Sequence, residues 1–167
     1  MENCSPELQA IKTAILNEHE GYRFYQLAAE KGASPEVRNV FLYLAQEEKK
    51  HEDFLRKLYG AVEKNQLDGV MEEAQLCRPL ESPHVFSPEH IKNEETSLIV
   101  SALAMAVKME KDSAEFYREA AAKTDMETVR QIFLQLADWE NQHLDALNNT
   151  YDFAREEWWA QQGFSPA

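Results

Sequence analysis

Residues 37–55, VRNVFLYLAQEEKKHEDFL, return 92 positions later as residues 129–147, VRQIFLQLADWENQHLDAL. The repeat is wider than these two stretches: residues 10–59 align on residues 102–151 without a gap, and 19 of those 50 positions are identical. In the first copy the apolar residues Val37, Phe41, Leu44, Leu55 and Leu58 follow an alternation of four and three. Val129, Phe133, Leu136 and Leu147 keep the same spacing in the second. That is the period of a helix with one apolar stripe. The alternation runs without a break through Glu48 and His51, and through Glu140 and His143, so four ionisable side chains fall at core positions.

The stretches upstream of each copy carry matching stripes. One reads Leu8, Ile11, Ile15, Glu18, Tyr22, Tyr25 and Ala29; the other reads Val100, Leu103, Val107, Glu110, Ala114, Tyr117 and Ala121. Ser5-Pro6, Ser34-Pro35 and Ser87-Pro88 place a capping side chain before a proline suited to a first helical turn. Thr124 with Glu127 reads as a capping box, and Gly32 and Gly60 read as stops. The expected helices are residues 5–31, 35–59, 88–123 and 126–155. Neither helical hairpin buries its stripe alone, so the two pack face to face as an all-α four-helix bundle with a pseudo-twofold axis. The single domain of residues 1–167 then comprises a hairpin (5–59), a long crossover (60–87), a second hairpin (88–155) and a short tail.

Composition excludes several function classes. The 167 residues, 44% of them apolar, suffice for one buried core. A net charge of −13 opposes a nucleic-acid backbone or an anionic membrane surface. The apolar run from Ser97 to Val107 is too short to span a bilayer, and the first residues lack the cationic and apolar segments of a signal peptide. The expectation is a soluble cytoplasmic protein without nucleic-acid or membrane partners. Cys4 and Cys77 form no C-x-x-C pair, which gives no support to a disulfide scaffold or a thiolate-ligated metal.

Four unpaired buried carboxylates would cancel most of the roughly 5–15 kcal/mol net stability of a domain. Protonation and hydrogen bonds to the histidines are two remedies. Two divalent cations match better, because four carboxylates and two neutral imidazoles carry −4 against +4. Residues at i and i+3 share a helical face, so Glu48 with His51, and Glu140 with His143, can converge on a metal. Glu18 and Glu110 would ligate from the facing helices, with Glu48 and Glu140 bridging. The candidate metal ligands are therefore Glu18, Glu48, His51, Glu110, Glu140 and His143. Oxygen and nitrogen donors without sulfur suit two iron ions, with manganese or zinc as substitutes.

These residues resemble the rubrerythrin-like branch of the ferritin-like superfamily. The segments Glu18-His19-Glu20-Gly21-Tyr22-Arg23-Phe24-Tyr25 and Ala45-Gln46-Glu47-Glu48-Lys49-Lys50-His51 look like that family's first two helices, and Glu110 to Tyr117 and Ala137 to His143 are their echoes. The resemblance implies a ferritin-like bundle with a dinuclear iron centre whose reduced form reacts with peroxide or dioxygen, commonly in a homodimer. Two places depart from it. Typical members carry a further glutamate where Ser113 stands here, and they end in a rubredoxin domain with paired C-x-x-C motifs that this chain lacks. Electrons are expected from a separate donor such as a rubredoxin. The symmetrical ligand set is also similar to that of bacterioferritins, but helix 35–59 has no methionine to bind haem, so no haem is expected.

The expected activity is reduction of peroxide or dioxygen; ferroxidase or iron-storage chemistry and a non-catalytic metal-binding bundle are the alternatives. Tyr25 and Tyr117, beyond the ligand glutamates, are candidates to donate a hydrogen bond to a ligand carboxylate or to carry electrons, against a plain core-filling role. Leu44, Leu136, Ile15 and Val107 are expected to restrict water around the metals. His19, Glu20 and Asp112 read as solvated, as do Glu47, Lys49, Lys50 and Glu52 on a charged face. His84 and His90 read as non-ligands. The aromatic tail with Trp158, Trp159 and Phe164 is expected to fold back on the bundle or to pack on a second subunit.

Overall fold

The computed structural model describes residues 5–31, 35–76 and 96–164. They form five helices: α1 (Pro6–Lys31), α2 (Pro35–Glu63), a short α3 (Val70–Leu76), α4 (Thr96–Lys123) and α5 (Glu127–Gln161). Among the described residues there is no strand. The helix α1 packs along α2, and α4 along α5; α1 meets α4 between the two hairpins, while α3 touches α2 and α5.

The core divides into two clusters that are images of each other. One contains Ile11, Ala14, Leu55, Tyr117, Val129, Phe133 and Leu136. The other contains Leu103, Ala106, Leu147, Tyr25, Val37, Phe41 and Leu44, the same positions in the other copy and in the same order. Each cluster mixes both hairpins, so each stripe is buried only by its partner. Full burial of one large apolar side chain contributes about 1.5–3 kcal/mol. Along every long helix the acidic or imidazole positions fall where the chain leaves one cluster and enters the other. Glu18 lies between Ala14 and Tyr25, and Glu48 with His51 lies between Leu44 and Leu55.

Several expected boundaries move. Gly60 does not stop α2, which continues to Glu63. The left-handed turn falls instead at Asn65 (φ 53°), and the Gln66 N–H closes back on the Ala61 carbonyl at 2.8 Å. Asparagine tolerates this conformation, so the glycine is not required for it. The capping box at Thr124 does not form: its hydroxyl accepts from the Met126 N–H (3.2 Å) and donates to Glu7 (3.1 Å), tying the start of α1 to the α4–α5 turn. Helix α5 passes residue 155 and absorbs Trp158 and Trp159, so no separate tail begins there. Gly163 (φ 77°) ends it, and Phe164 stands edge-on to Trp159 (5.8 Å) at an exposed corner, not folded back over the bundle. The expected start at Ser87-Pro88, the stop at Gly32, both cysteines, His84 and His90 lie outside the described residues.

Candidate metal centre

The six candidate ligands converge between the two core clusters. Glu18 comes from α1, Glu48 and His51 from adjacent turns of α2, Glu110 from α4, and Glu140 and His143 from adjacent turns of α5. None is more than 5% exposed. His51 Nδ1 lies 3.4 Å from Glu18 Oε2 and 3.4 Å from Glu140 Oε1. His143 Nδ1 lies 3.5 Å from Glu110 Oε2, 3.6 Å from Glu140 Oε2 and 3.9 Å from Glu48 Oε1. The two imidazole planes are nearly parallel, 5.8 Å apart.

Two sets of donor atoms close within 4.8 Å of one another: Glu48, Glu110, Glu140 and His143, and Glu18, Glu48 and His51. Glu48 belongs to both. Glu140 reaches both imidazoles, one with each oxygen.

These contacts bring charge together without hydrogen-bond geometry. Both nitrogens of His51 and His143, both oxygens of Glu140, Glu18 Oε2 and Glu48 Oε1 are buried without a hydrogen-bond partner. Native interiors rarely leave such groups unsatisfied. A donor set of carboxylates and imidazoles fits a divalent cation pair, which would take the four carboxylate oxygens and one nitrogen of each imidazole, the Nδ1 atoms being the ones that face the acids.

Electrostatics without a metal have the same cause. Burial raises the Glu48 carboxyl well above the usual range, and the charges of Glu18, Glu110 and Glu140 add to it. Burial and Glu140 push Glu110 up to about 8, against the opposing pull of His143. Burial would lower His51, but Glu140 and Glu18 outweigh it and raise it to about 9. His143 likewise rises, burial being overcome by Glu110 and Glu140. Glu140, held by both imidazoles against the desolvation of its own burial, lies far below the usual carboxylate range. Protons and imidazolium ions thus stand in the metal-free site where cations would stand in a filled one.

The two tyrosines cross between hairpins. Tyr25, in the first, donates to Glu110 in the second, and Tyr117 donates to Glu18 in the first. Burial raises both phenols well above their ordinary value, and the facing glutamates add to it, so both stay protonated donors. Each is also a core member, 1% exposed, so the structural and the donor readings hold together.

Three features escape the sequence reading. Gly21 is buried on α1, and a Cβ there would stand 3.0 Å from Glu48 Oε2. The available signal is a glycine inside an otherwise regular helix, which costs about 1 kcal/mol relative to alanine and calls for a packing reason. Trp139 stacks on His51 with ring centroids 5.3 Å apart, whereas the same position in the first copy is Glu47. The charged face of α2 is not the solvated surface expected of it. Glu47 and Glu52 are 1% and 3% exposed; Lys50 pairs with Glu47, and Glu52 collects His19 (3.3 Å), Arg56 (2.7 Å) and Lys49 (3.5 Å). Long cationic side chains lie across these acids and cover them while keeping their own charges wet. Glu20 and Asp112 are exposed as expected.

No curated protein matches the chain. A solved structure of a hypothetical protein from Pyrococcus furiosus shares 28% sequence identity, covering 93% of this chain and 94% of that one, with a TM-score of 0.65. The model of the Rubrerythrin family matches residues 9–151, a span that takes in most of both hairpins and all six buried ligand candidates. The bundle, the repeated Glu and Glu-x-x-His pattern and this match agree: the chain belongs to the rubrerythrin family of ferritin-like di-iron proteins.

Proposed function

We propose that this protein is a di-iron oxidoreductase that reduces peroxide or dioxygen with electrons from a separate rubredoxin-type donor, and that it works as a homodimer. The observation that carries this reading is the group of buried carboxylate oxygens and imidazole Nδ1 atoms, without hydrogen-bond partners, contributed by Glu18, Glu48, His51, Glu140 and His143. Glu110, whose Oε1 is engaged by Tyr25, offers its Oε2 to the same centre. A bound pair of ferrous ions supplies one electron each, enough to take peroxide and two protons to two molecules of water.

The chain's own residues do the rest. Glu18 and Glu110 are fixed in orientation by Tyr117 and Tyr25, so that only one oxygen of each faces the centre. Phenols held protonated beside a carboxylate keep a proton within one hydrogen bond of the site. Leu44, Leu136 and Trp139, each at most 3% exposed, close two sides against water, which strengthens every charge interaction inside. Ile15 and Val107 are only partly buried and leave a thinner wall. Among the described residues no helix is long and apolar enough to cross a membrane.

The test is NADH-coupled peroxide consumption by iron-loaded protein with a rubredoxin and its reductase. Turnover well above that of the same iron free in solution is the expected result. Turnover no faster than free iron overturns the activity, and failure to retain iron after desalting overturns the metal reading as a whole.

A further inference from the structure

Trp139 on α5 lies nearly flat against the His51 imidazole on α2, with ring centroids 5.3 Å apart and planes inclined by 16°. Of the three tryptophans it alone is buried; Trp158 is half-buried and Trp159 is 42% exposed. The repeat does not supply this contact twice, because Glu47 stands at the matching position of α2. Core packing asks only for an apolar group here, and Phe54, Leu55, Ile132 and Leu136 meet that need in the rest of the cluster. An indole brings what those side chains lack: it is electron-rich and gives up an electron without losing a proton at the same moment. The two buried phenols are poorer donors. A phenol yields an electron readily only as its proton leaves, and the acceptors for Tyr25 and Tyr117 are Glu110 and Glu18. Carboxylates that hold cations resist taking up a proton.

We propose that Trp139 is an internal electron donor to the centre, and that it is the residue oxidised when peroxide is present and the external donor is absent. This rests on the peroxide-reducing reading above. Once the metal's own electrons are spent, peroxide takes up two electrons and two protons and becomes two waters. Trp139 loses those two electrons in turn, through the stacked His51 ring. Its own ring then adds one water and releases two protons. The sum is peroxide plus tryptophan giving hydroxytryptophan and one water, with the centre unchanged.

The experiment exposes the full iron-loaded chain to excess hydrogen peroxide without reductant, in water enriched in heavy oxygen, and maps added oxygen by peptide mass spectrometry. Metal-free and zinc-loaded chains are the controls. Met105, 56% exposed, and Trp159 report oxidants free in solution, which meet exposed side chains first. The expected result is one heavy oxygen atom on Trp139 in the iron-loaded chain alone, severalfold ahead of Trp159, with Met105 oxidised alike in all three. Four results overturn the inference and leave the proposed function standing: iron-dependent peroxide loss with Trp139 unmodified, earlier oxidation of Trp159, equal oxidation of Trp139 without iron, or oxygen on Trp139 that comes from peroxide and not from water. No iron-dependent loss of peroxide overturns the function, and this inference with it.

Discussion

The two hairpins agree at the positions that build the acid centre and the rings beside it, and they differ at several positions close by. Tyr25 and Tyr117, Phe41 and Phe133, Glu48 and Glu140, and His51 and His143 are identical pairs, and each lines the axis between the hairpins. Glu47 against Trp139, Gly21 against Ser113 and Leu58 against Thr150 are unlike pairs, placed around that axis. Each copy completes the core and the acid groups of the other, so a change at an axial position has to be matched across the bundle. A change at its margin is free to set one side apart, as Trp139 does by stacking on one imidazole only.

Truncating the equivalent anchors strains this symmetry most. Phe41→Ala and Phe133→Ala are each expected to cost about 3–5 kcal/mol, on the order of 10 °C in melting temperature, because each empties a core position under 2% exposed. Costs that differ by more than about 2 kcal/mol in calorimetric melting would show that the two clusters are not equivalent. Next is the metal itself. An ion present at about a hundred times its dissociation constant adds about 2.7 kcal/mol, read as a rise in melting temperature that chelator reverses.

The pH dependence probes the same shared acids. In metal-free protein Glu110 is raised to about 8 and His51 to about 9. Both bind protons more tightly folded than unfolded, so each stabilises the fold at low pH. The contribution of Glu110 fades as pH climbs from about 4.5 to 8, and that of His51 from about 6.5 to 9. Glu140, lowered by its two imidazoles, acts in the opposite sense, but only below its ordinary value of 4.5. Metal-free protein should therefore melt lower at pH 9 than at pH 6. Metal-loaded protein should gain over it as pH rises, because ligands bind metal in their deprotonated forms. Parallel pH profiles for the two forms, measured by thermal melting, would contradict the site.

Tyr25→Phe and Tyr117→Phe each remove the donor from a buried carboxylate and are expected to cost about 1–3 kcal/mol, equally in the two copies. Denaturant titration of both variants side by side measures it; a loss in one alone would mean that only one of the crossed bonds bears weight. The smallest effect belongs to Thr124→Ala, about 0.5–1 kcal/mol by the same measurement. It removes the link to Glu7 and Met126, which the first copy has no described residue to match.

Much of the site is legible in the amino-acid sequence, because a helical period fixes which residues share a face, and a repeat shows which faces must meet. The approach of Glu18, Glu48, His51, Glu110, Glu140 and His143 is of this kind. The burial of Glu47 and Glu52 is not legible there. Their sequence neighbours are mostly polar, and only the paths of Lys50, Arg56 and Lys49 across them decide that they leave water. Helix ends are half legible: Gly60 and Asn65 both permit the left-handed turn, and the length of α2 decides between them.

Local periodicity and copying are enough to specify the helices, their doubling and the acidic character of the bundle axis, and all three can be read along the chain. Other features arise only in the folded molecule: each phenol crosses to the glutamate of the other hairpin, Glu48 rests against Gly21, and one imidazole is stacked on Trp139. These are contacts between chain segments far apart in sequence, set by ångström-scale placement of packed helices. No spacing along the chain encodes them.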